Sequence, residues 1–438
     1  MIRSEQIANK SDNLSNYKSF ISIFWKVLIL AILLGCLNSP LVLGQNRILV
    51  VSGGGARGAW GGGVIQNLVE KQHNQYQVII GTSTGSLMAP LIVANDFDTL
   101  RTMYTSVTNK RIFNIDPFRV SKDGKEANIR GLRAVKRLIL GKRTIGETKR
   151  LRKLINNTYN KGKYTEIQGA DGHFIISVAN FTNSHTYYFD SRDFYNSNDD
   201  RYRRMMVDHI WRSSNQPLFM TLDCTCDEEY RLVQKDMDNR PFSNGDCWVD
   251  TGIRDNVPLL RGIEYSLDNS NLTATDTIDV IINNIDSIDI DDFPRKKILA
   301  SVIRSIDILS YDVRFNDVNI PGELVSESMK AILPGSMVDE NVDFEKLMHE
   351  NGEETIGDIV INYYFMPKEV YNIHPLDLYF NKNSMNEIWD LGLSLYQLDN
   401  SNIKTEVLSK KIAKLLIKKA HEQDEIYKPV LSVSSVYK

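Results

Sequence analysis

The stretch Val78-Ile79-Ile80-Gly81-Thr82-Ser83-Thr84-Gly85-Ser86-Leu87 constrains this chain more than any other. A short β-branched apolar run ends in Gly-x-Ser-x-Gly, and a helix-capable segment follows. That is the sequence form of a nucleophile elbow. Gly81 and Gly85 flank the serine because the turn from strand to helix is tight and holds Ser83 in a strained backbone conformation. A serine presented there sits at a helix N-terminus, where backbone N–H groups and the helix dipole favour a developing anion. Gly-x-Ser-x-Gly also arises as a chance glycine-rich turn, so its surroundings decide its meaning.

Upstream, Ile48 to Ser52 is a continuous apolar run of strand length, as a buried parallel strand requires. It ends in Gly53-Gly54-Gly55-Ala56-Arg57-Gly58, and the helical pattern Val64 to Val69 follows. The order strand, loop, helix, strand, elbow, helix predicts an α/β fold with a mainly parallel sheet. Gly53-x-Gly55-x-x-Gly58 matches the dinucleotide fingerprint literally. That fingerprint wants an acidic residue at the end of the second strand, and here the strand ends in Gly81-Thr82-Ser83. A glycine loop in front of a nucleophilic serine suits the tetrahedral oxyanion of acyl transfer instead.

Downstream, strands are expected at Phe174 to Asn180, Tyr187 to Phe189, Ile278 to Asn283 and Ile359 to Phe365, and a helix from His209 ends before Pro217. Residues 221–246 read as a polar surface insertion, and Ile298 to Leu309 as an apolar helix of the core. Cys247-Trp248-Val249-Asp250 is a short strand, followed by Thr251-Gly252-Ile253-Arg254-Asp255-Asn256-Val257-Pro258-Leu259. Asp250 at a strand end before a glycine turn is placed for a catalytic carboxylate, or merely caps that turn. Residues 404–421, with Leu408, Ile412, Leu415 and Leu416 in an apolar stripe, predict a lysine-rich terminal helix, either docked on the domain or lying in a membrane interface.

From Arg119 to Lys153 there are thirteen Lys or Arg and three Asp or Glu, a local net charge of +10. Helices over Leu132–Leu140 and Lys149–Ile155 would carry these charges. The plain reading is solvated helix faces. The sharper one is a surface that meets anionic lipid headgroups. The stretch lacks the interleaved aromatics used for base stacking, so nucleic acid is not an expected partner. The seven histidines are scattered, with no HExxH and no zinc-ligand spacing, which argues against a metal site. Cys224 and Cys226 are candidates to pair with Cys247 in an exported protein, and the sequence leaves the connectivity open.

At the N-terminus, Lys26 precedes the apolar run Val27 to Gly35, which is short beside the roughly 20 residues of a comfortable transmembrane helix. The pattern predicts an export signal or anchor over residues 1–44. Two processing readings stand. Leu33-Leu34-Gly35-Cys36 resembles a lipobox, with Cys36 lipidated, and Val42-Leu43-Gly44 resembles an ordinary cleavage site. Lipidation at Cys36, or a segment kept as an uncleaved anchor, puts the protein at the cell envelope in association with membrane, whereas ordinary cleavage leaves it freely soluble outside the cytoplasm.

GGGARG at 53–58, GTSTG at 81–85, SSNQPLF at 213–219 and DTGIRDNVPL at 250–259, in this order, resemble the patatin-like phospholipase family. The resemblance runs from about Arg47 to Arg261 and more weakly to Tyr396. It implies a three-layer fold with a catalytic domain over 45–265, completed by 266–400, and a basic helical tail over 401–438. It also implies a lipid acyl hydrolase acting on lipid or phospholipid through a Ser–Asp dyad, without histidine or cofactor. Carried over by position, Ser83 is the nucleophile and Asp250 takes its proton. Gly53, Gly54, Gly55, Arg57 and Gly58 form the oxyanion loop, with the N–H groups of Gly54 and Gly55 as donors. Gly81 and Gly85 make the elbow, and Gly252 the turn after the acid. Thr251 stands where the family has glycine. A threonine does not readily adopt a positive φ, so the turn holding Asp250 is expected to differ from the family's. Ser213-Ser214 stands where the family has alanine–serine. Two other readings compete: a Ser–His–Asp triad using His349, His374 or His421, and a binding protein that has kept the fold without the chemistry.

Overall fold

The computed structural model describes residues 46–438 apart from 122–126, 183, 195–199, 225–245, 270–272, 287–312, 315–316, 319–356, 375, 396–397, 399–401, 415–416 and 418–438. The apolar leader with Cys36, the expected helix over Ile298–Leu309 and nearly all of the 221–246 insertion lie outside the described residues.

The chain opens with β1 (Arg47–Val51), α1 (Gly58–Gln66), which runs on through a π turn at Asn67–Lys71, β2 (Val78–Gly81), α2 (Thr84–Val93) and α3 (Phe97–Thr105). A short α4 (Asn109–Ile112) and the hairpin β3 (Phe118–Val120) and β4 (Ala127–Ile129) lead to α5 (Gly131–Ile139), α6 (Lys149–Thr158) and α7 (Lys161–Gln168). Then come β5 (His173–Asn180), β6 (Thr186–Asp190), α8 (Asp200–Ser213), β7 (Trp248–Val249), α9 (Leu259–Asn269) and β8 (Asp276–Ile282). The remaining described elements are β9 (Asp358–Phe365), α10 (Lys368–Ile373), α11 (Lys382–Leu393) and β10 (Ile403–Ser409).

One sheet organises these elements, in the order β10-β9-β8-β1-β2-β5-β6, with β7 also on β5. Its centre, β9-β8-β1-β2-β5, is parallel. Its margins, β10 on β9, β6 on β5 and β7 on β5, are antiparallel. The continuous apolar runs of the sequence are explained by this: central parallel strands are covered on both faces. Alternate residues feed opposite layers. Leu49, Val51, Ile79 and Ile176 pack with residues of α1, α2, α3, α8 and α11. Ile48, Val50, Ile80, Ile278 and Val280 pack with Leu259 and Ile263 of α9. Burying each such side chain stabilises the fold by about 1.5–3 kcal/mol. The architecture is therefore the expected three-layer α/β fold.

From β1 the chain builds towards β2 and β5 on one side, and later towards β8 and β9 on the other. The carboxyl ends of β1, β2 and β8 thus bound a topological switch point, where open α/β sheets place their ligands.

The terminal segment departs from expectation. Residues 403–409 form β10, antiparallel to β9 with Val407 opposite Val360, and helical turns begin only at Lys410. Leu408 and Ile412 share a helical spacing, but Ile403, Thr405 and Val407 are β-branched at alternate positions, and the exposed edge of β9 pairs with them. Lys410 is fully buried and ion-paired with Asp276 at 2.9 Å, which ties this stretch to the sheet. Cys247 is joined to Cys224 by a disulfide. Among the described residues no helix is long and apolar enough to cross a membrane.

Candidate active site

The elbow forms as its sequence requires. β2 lies between β1 and β5 and delivers Ser83 to the N-terminus of α2 with φ 55° and ψ −113°, in the left-handed half of the map. Such backbone strain is typical of functional residues and costs roughly 1–3 kcal/mol. A Cβ on Gly81 would stand 2.4 Å from the carbonyl carbon of Gly85, and one on Gly85 would stand 2.3 Å from the carbonyl oxygen of Val51. Close packing of the turn on itself and on β1 thus demands both glycines. Ser86 Oγ donates to Gly81 O at 2.7 Å and closes the turn. The Ser83 N–H donates to Ser213 Oγ at 3.1 Å, and Ser213 Oγ donates to Ser86 Oγ at 2.8 Å. Ser213 of α8 therefore steadies the elbow through its hydroxyl, a role an alanine cannot fill.

Asp250 reaches the serine from β7. That two-residue strand pairs with the end of β5, Val249 opposite Ala179. The Asp250 N–H donates to Asn215 O at 2.9 Å, just past the end of α8. Its Oδ1 accepts from the Gly252 N–H at 2.8 Å, and its Oδ2 accepts from Ser83 Oγ at 2.5 Å. Thr251 is not among the residues of positive φ. It enters a short 3₁₀ turn, Thr251–Ile253, which Asp250 caps. Threonine is accommodated here because this turn asks for no left-handed residue at Thr251. Asp250 is buried, and that burial pushes its carboxyl up to about 7, with Asp377 adding to the rise and the bonds from Ser83 and Gly252 opposing it.

The glycine loop leaves β1 and faces Ser83. Gly54 and Gly55 have φ of 153° and 55°, where a side chain would be strained. The Gly53 N–H is already spent on Asn256 O at 3.0 Å, whereas no described group accepts from the Gly54 or Gly55 N–H. Those two groups, and the open N-terminus of α2, are the donors available to an oxyanion. Gly58 stands apart from this set. Its N–H is satisfied by Gly55 O, and a Cβ there would stand 2.3 Å from Thr84 Oγ1, so it sets the approach of α1 to α2. Arg57 lines the pocket, with its guanidinium 5.1 Å from the Tyr371 ring centre and 3.8 Å from Asp377 Oδ2.

These groups line a cavity of about 100 Å³ that also takes in Ile112, Leu151, Met220 and Phe380. A polar end thus faces an apolar wall. No histidine lines it among the described residues. His374 is buried, with Nδ1 2.8 Å from Ser384 Oγ, and burial lowers it to about 4. His349 and His421 lie outside the described residues. Among the described residues no group of three His, Cys, Asp or Glu is disposed to hold a metal.

Several contributors carried no sequence signal. Asp377 O accepts from the Ala56 N–H at 2.7 Å, so a loop far along the chain roofs the glycine turn. Asp317 Oδ2 accepts from the N–H groups of Asn256 and Val257 at 2.7 and 2.9 Å and fixes the segment behind the acid. Only a contact map could have joined either to the site.

Compared with known families, residues 49–262 match the model described as Patatin-like phospholipase. This stretch is similar to the patatin-like phospholipases. The match holds both Ser83 and Asp250 and ends within α9, so β8, β9 and β10 complete the sheet from beyond it. No curated protein matches the chain. Among solved structures, the crystal structure of VipD from Legionella pneumophila is similar at 13% identity and TM-score 0.30, over 83% of this chain and 68% of that one. That similarity speaks for lipid acyl hydrolysis in general; the geometry above is a separate observation on single residues.

Proposed function

We propose that the chain hydrolyses carboxylic ester bonds of lipids through a Ser83–Asp250 dyad and an acyl-enzyme. One observation carries the reading: Ser83 Oγ donates to Asp250 Oδ2 at 2.5 Å, on a strained elbow facing two glycine N–H groups. Asp250 takes the hydroxyl proton as Ser83 Oγ attacks the ester carbonyl. The Gly54 and Gly55 N–H groups receive the oxyanion, each such donor contributing about 3–4 kcal/mol to the transition state. Collapse expels the alcohol or lysolipid, which takes the proton from Asp250. Water then attacks the acyl-enzyme by the same route and releases the fatty acid.

Export to a membrane-associated site at the cell envelope belongs to the same proposal. It is supported by the Cys224–Cys247 disulfide, a bond of oxidising compartments, together with the leader pattern around Cys36.

The test is fatty-acid release from short-chain esters and from phospholipid by the wild-type and Ser83→Ala proteins. Loss of release in Ser83→Ala is expected. Undiminished release there would overturn the proposal.

A further inference from the structure

Helix α5 is amphipathic in the wrong sense for a soluble domain. Arg133 and Arg137, with Arg130 at its N-cap, bond to the protein, Lys136 is exposed, and its large apolar residues face water. Arg137 is buried, with Nε donating to Thr144 O at 2.7 Å and Nη2 paired with Glu147 Oε1 at 2.9 Å. Arg130 Nε donates to Phe118 O at 2.7 Å and Arg133 Nη1 to Asp116 O at 3.1 Å. On the outer side Leu132 is 93% exposed, Leu138 73% and Ile139 80%, with Val135 and Leu140 also exposed. A soluble protein gains nothing by this, so such a patch marks a surface meant to be covered.

What covers it is indicated by the charge beside it. Just past Leu140, Arg143 opens a broad groove that Lys149, Arg152, Lys153 and Arg204 also line. Its two carboxylates, Asp208 and Asp223, are each ion-paired at 2.7 Å, with Arg152 and Arg212. An apolar ridge beside a cationic groove suits one surface in particular, acyl chains below anionic headgroups. The loop that follows the ridge abuts the segment leading into the catalytic cavity. The Ile145 N–H donates to Leu218 O at 2.9 Å, and Met220, two residues on, lines the catalytic cavity.

We propose that α5 and the groove from Arg143 to Arg204 dock the protein on an anionic phospholipid surface, with Leu132, Leu138 and Ile139 entering the acyl layer. The purpose of this docking rests on the lipid-hydrolase reading; the docking itself does not.

The experiment uses the full chain carrying Ser83→Ala and Leu132→Trp, mixed with vesicles whose phosphatidylglycerol has brominated acyl chains. Fluorescence is compared with Ser83→Ala alone. The added tryptophan is expected to be quenched and blue-shifted, and Lys149→Glu with Lys153→Glu is expected to abolish this. A tryptophan at 132 that stays unquenched on vesicle-bound protein overturns the proposal. So does a dimer, seen by sedimentation, that Leu132→Glu dissociates, since a second copy would then be the cover. In the active protein, Leu132→Glu with Ile139→Glu should cut hydrolysis of vesicle phospholipid roughly hundredfold and leave soluble-ester turnover, which also reports folding, unchanged. Equal loss on both substrates, or loss on neither, overturns it. If the wild type turns over neither substrate, the hydrolase reading fails while the quenching still decides the docking.

Discussion

Asp250 has to act as a base on a serine hydroxyl, and an ordinary aspartate is too weak for that. Burial lifts it from 3.8 to about 7, near the pKa at which a carboxylate serves general-base chemistry at neutral pH. The base works when deprotonated, so kcat/KM for a soluble ester should rise with pH through about 7, read from a pH–rate profile. Asp250→Asn keeps an acceptor for the Gly252 N–H and cannot take the proton. It should lower kcat by roughly 100- to 10,000-fold. The same shift carries a stability cost of known sign. A carboxyl that holds its proton longer when folded stabilises the fold fully below its unfolded pKa, about 4, and that contribution is lost as pH rises to about 7. Over that window it amounts to about 4 kcal/mol. Asp250→Asn lacks this penalty, so at pH 8 it should melt above the wild type and below pH 4 it should not. Thermal melts at the two pH values check this.

At the scale of elements, the site depends on how closely the elbow packs on β1. In Gly85→Ala the new Cβ would meet the Val51 carbonyl at 2.3 Å, a contact with backbone that no rotamer relieves. Overpacking of this kind costs about 1–3 kcal/mol. The variant should melt lower and lose turnover of short-chain esters together, whereas a stable, fully active Gly85→Ala would contradict the packing account. Here the sequence was informative because the constraint is local. The Gly81-x-Ser83-x-Gly85 spacing, the β-branched run before it and the glycine loop after β1 each contain their own cause. Ser213 was visible only as a departure from alanine, and its bond to the Ser83 N–H needed the position of α8. The outward-facing apolar ridge of α5 was hidden for a similar reason. Residues 132–140 read as a solvated basic helix until the partners of Arg130, Arg133 and Arg137 showed which side faces in.

At the scale of the whole molecule, the sheet extends well past the stretch that the family model matches, and its far edge is held by buried charge. Asp276 opens β8 and accepts from Ser266 Oγ at 2.6 Å and from the Asn46 N–H at 2.9 Å, with Lys410 paired to it in full burial. Lys410→Met leaves that carboxylate without its cation and should cost about 3–5 kcal/mol, measured as a lower urea midpoint. The alternation at Ile403, Thr405 and Val407 is too short to outvote the helical spacing of Leu408 and Ile412 from sequence alone. It is the unpaired edge of β9 that decides it. Asp377 and Asp317 were illegible for the same reason, since their partners lie far along the chain. The central claim is that Ser83, activated by Asp250, is the nucleophile. Peptide mapping after reaction with a fluorophosphonate tests it most directly. The account predicts one adduct, on Ser83, greatly slowed in Asp250→Asn; an enzyme that hydrolyses lipid esters while the adduct falls on another residue would contradict it.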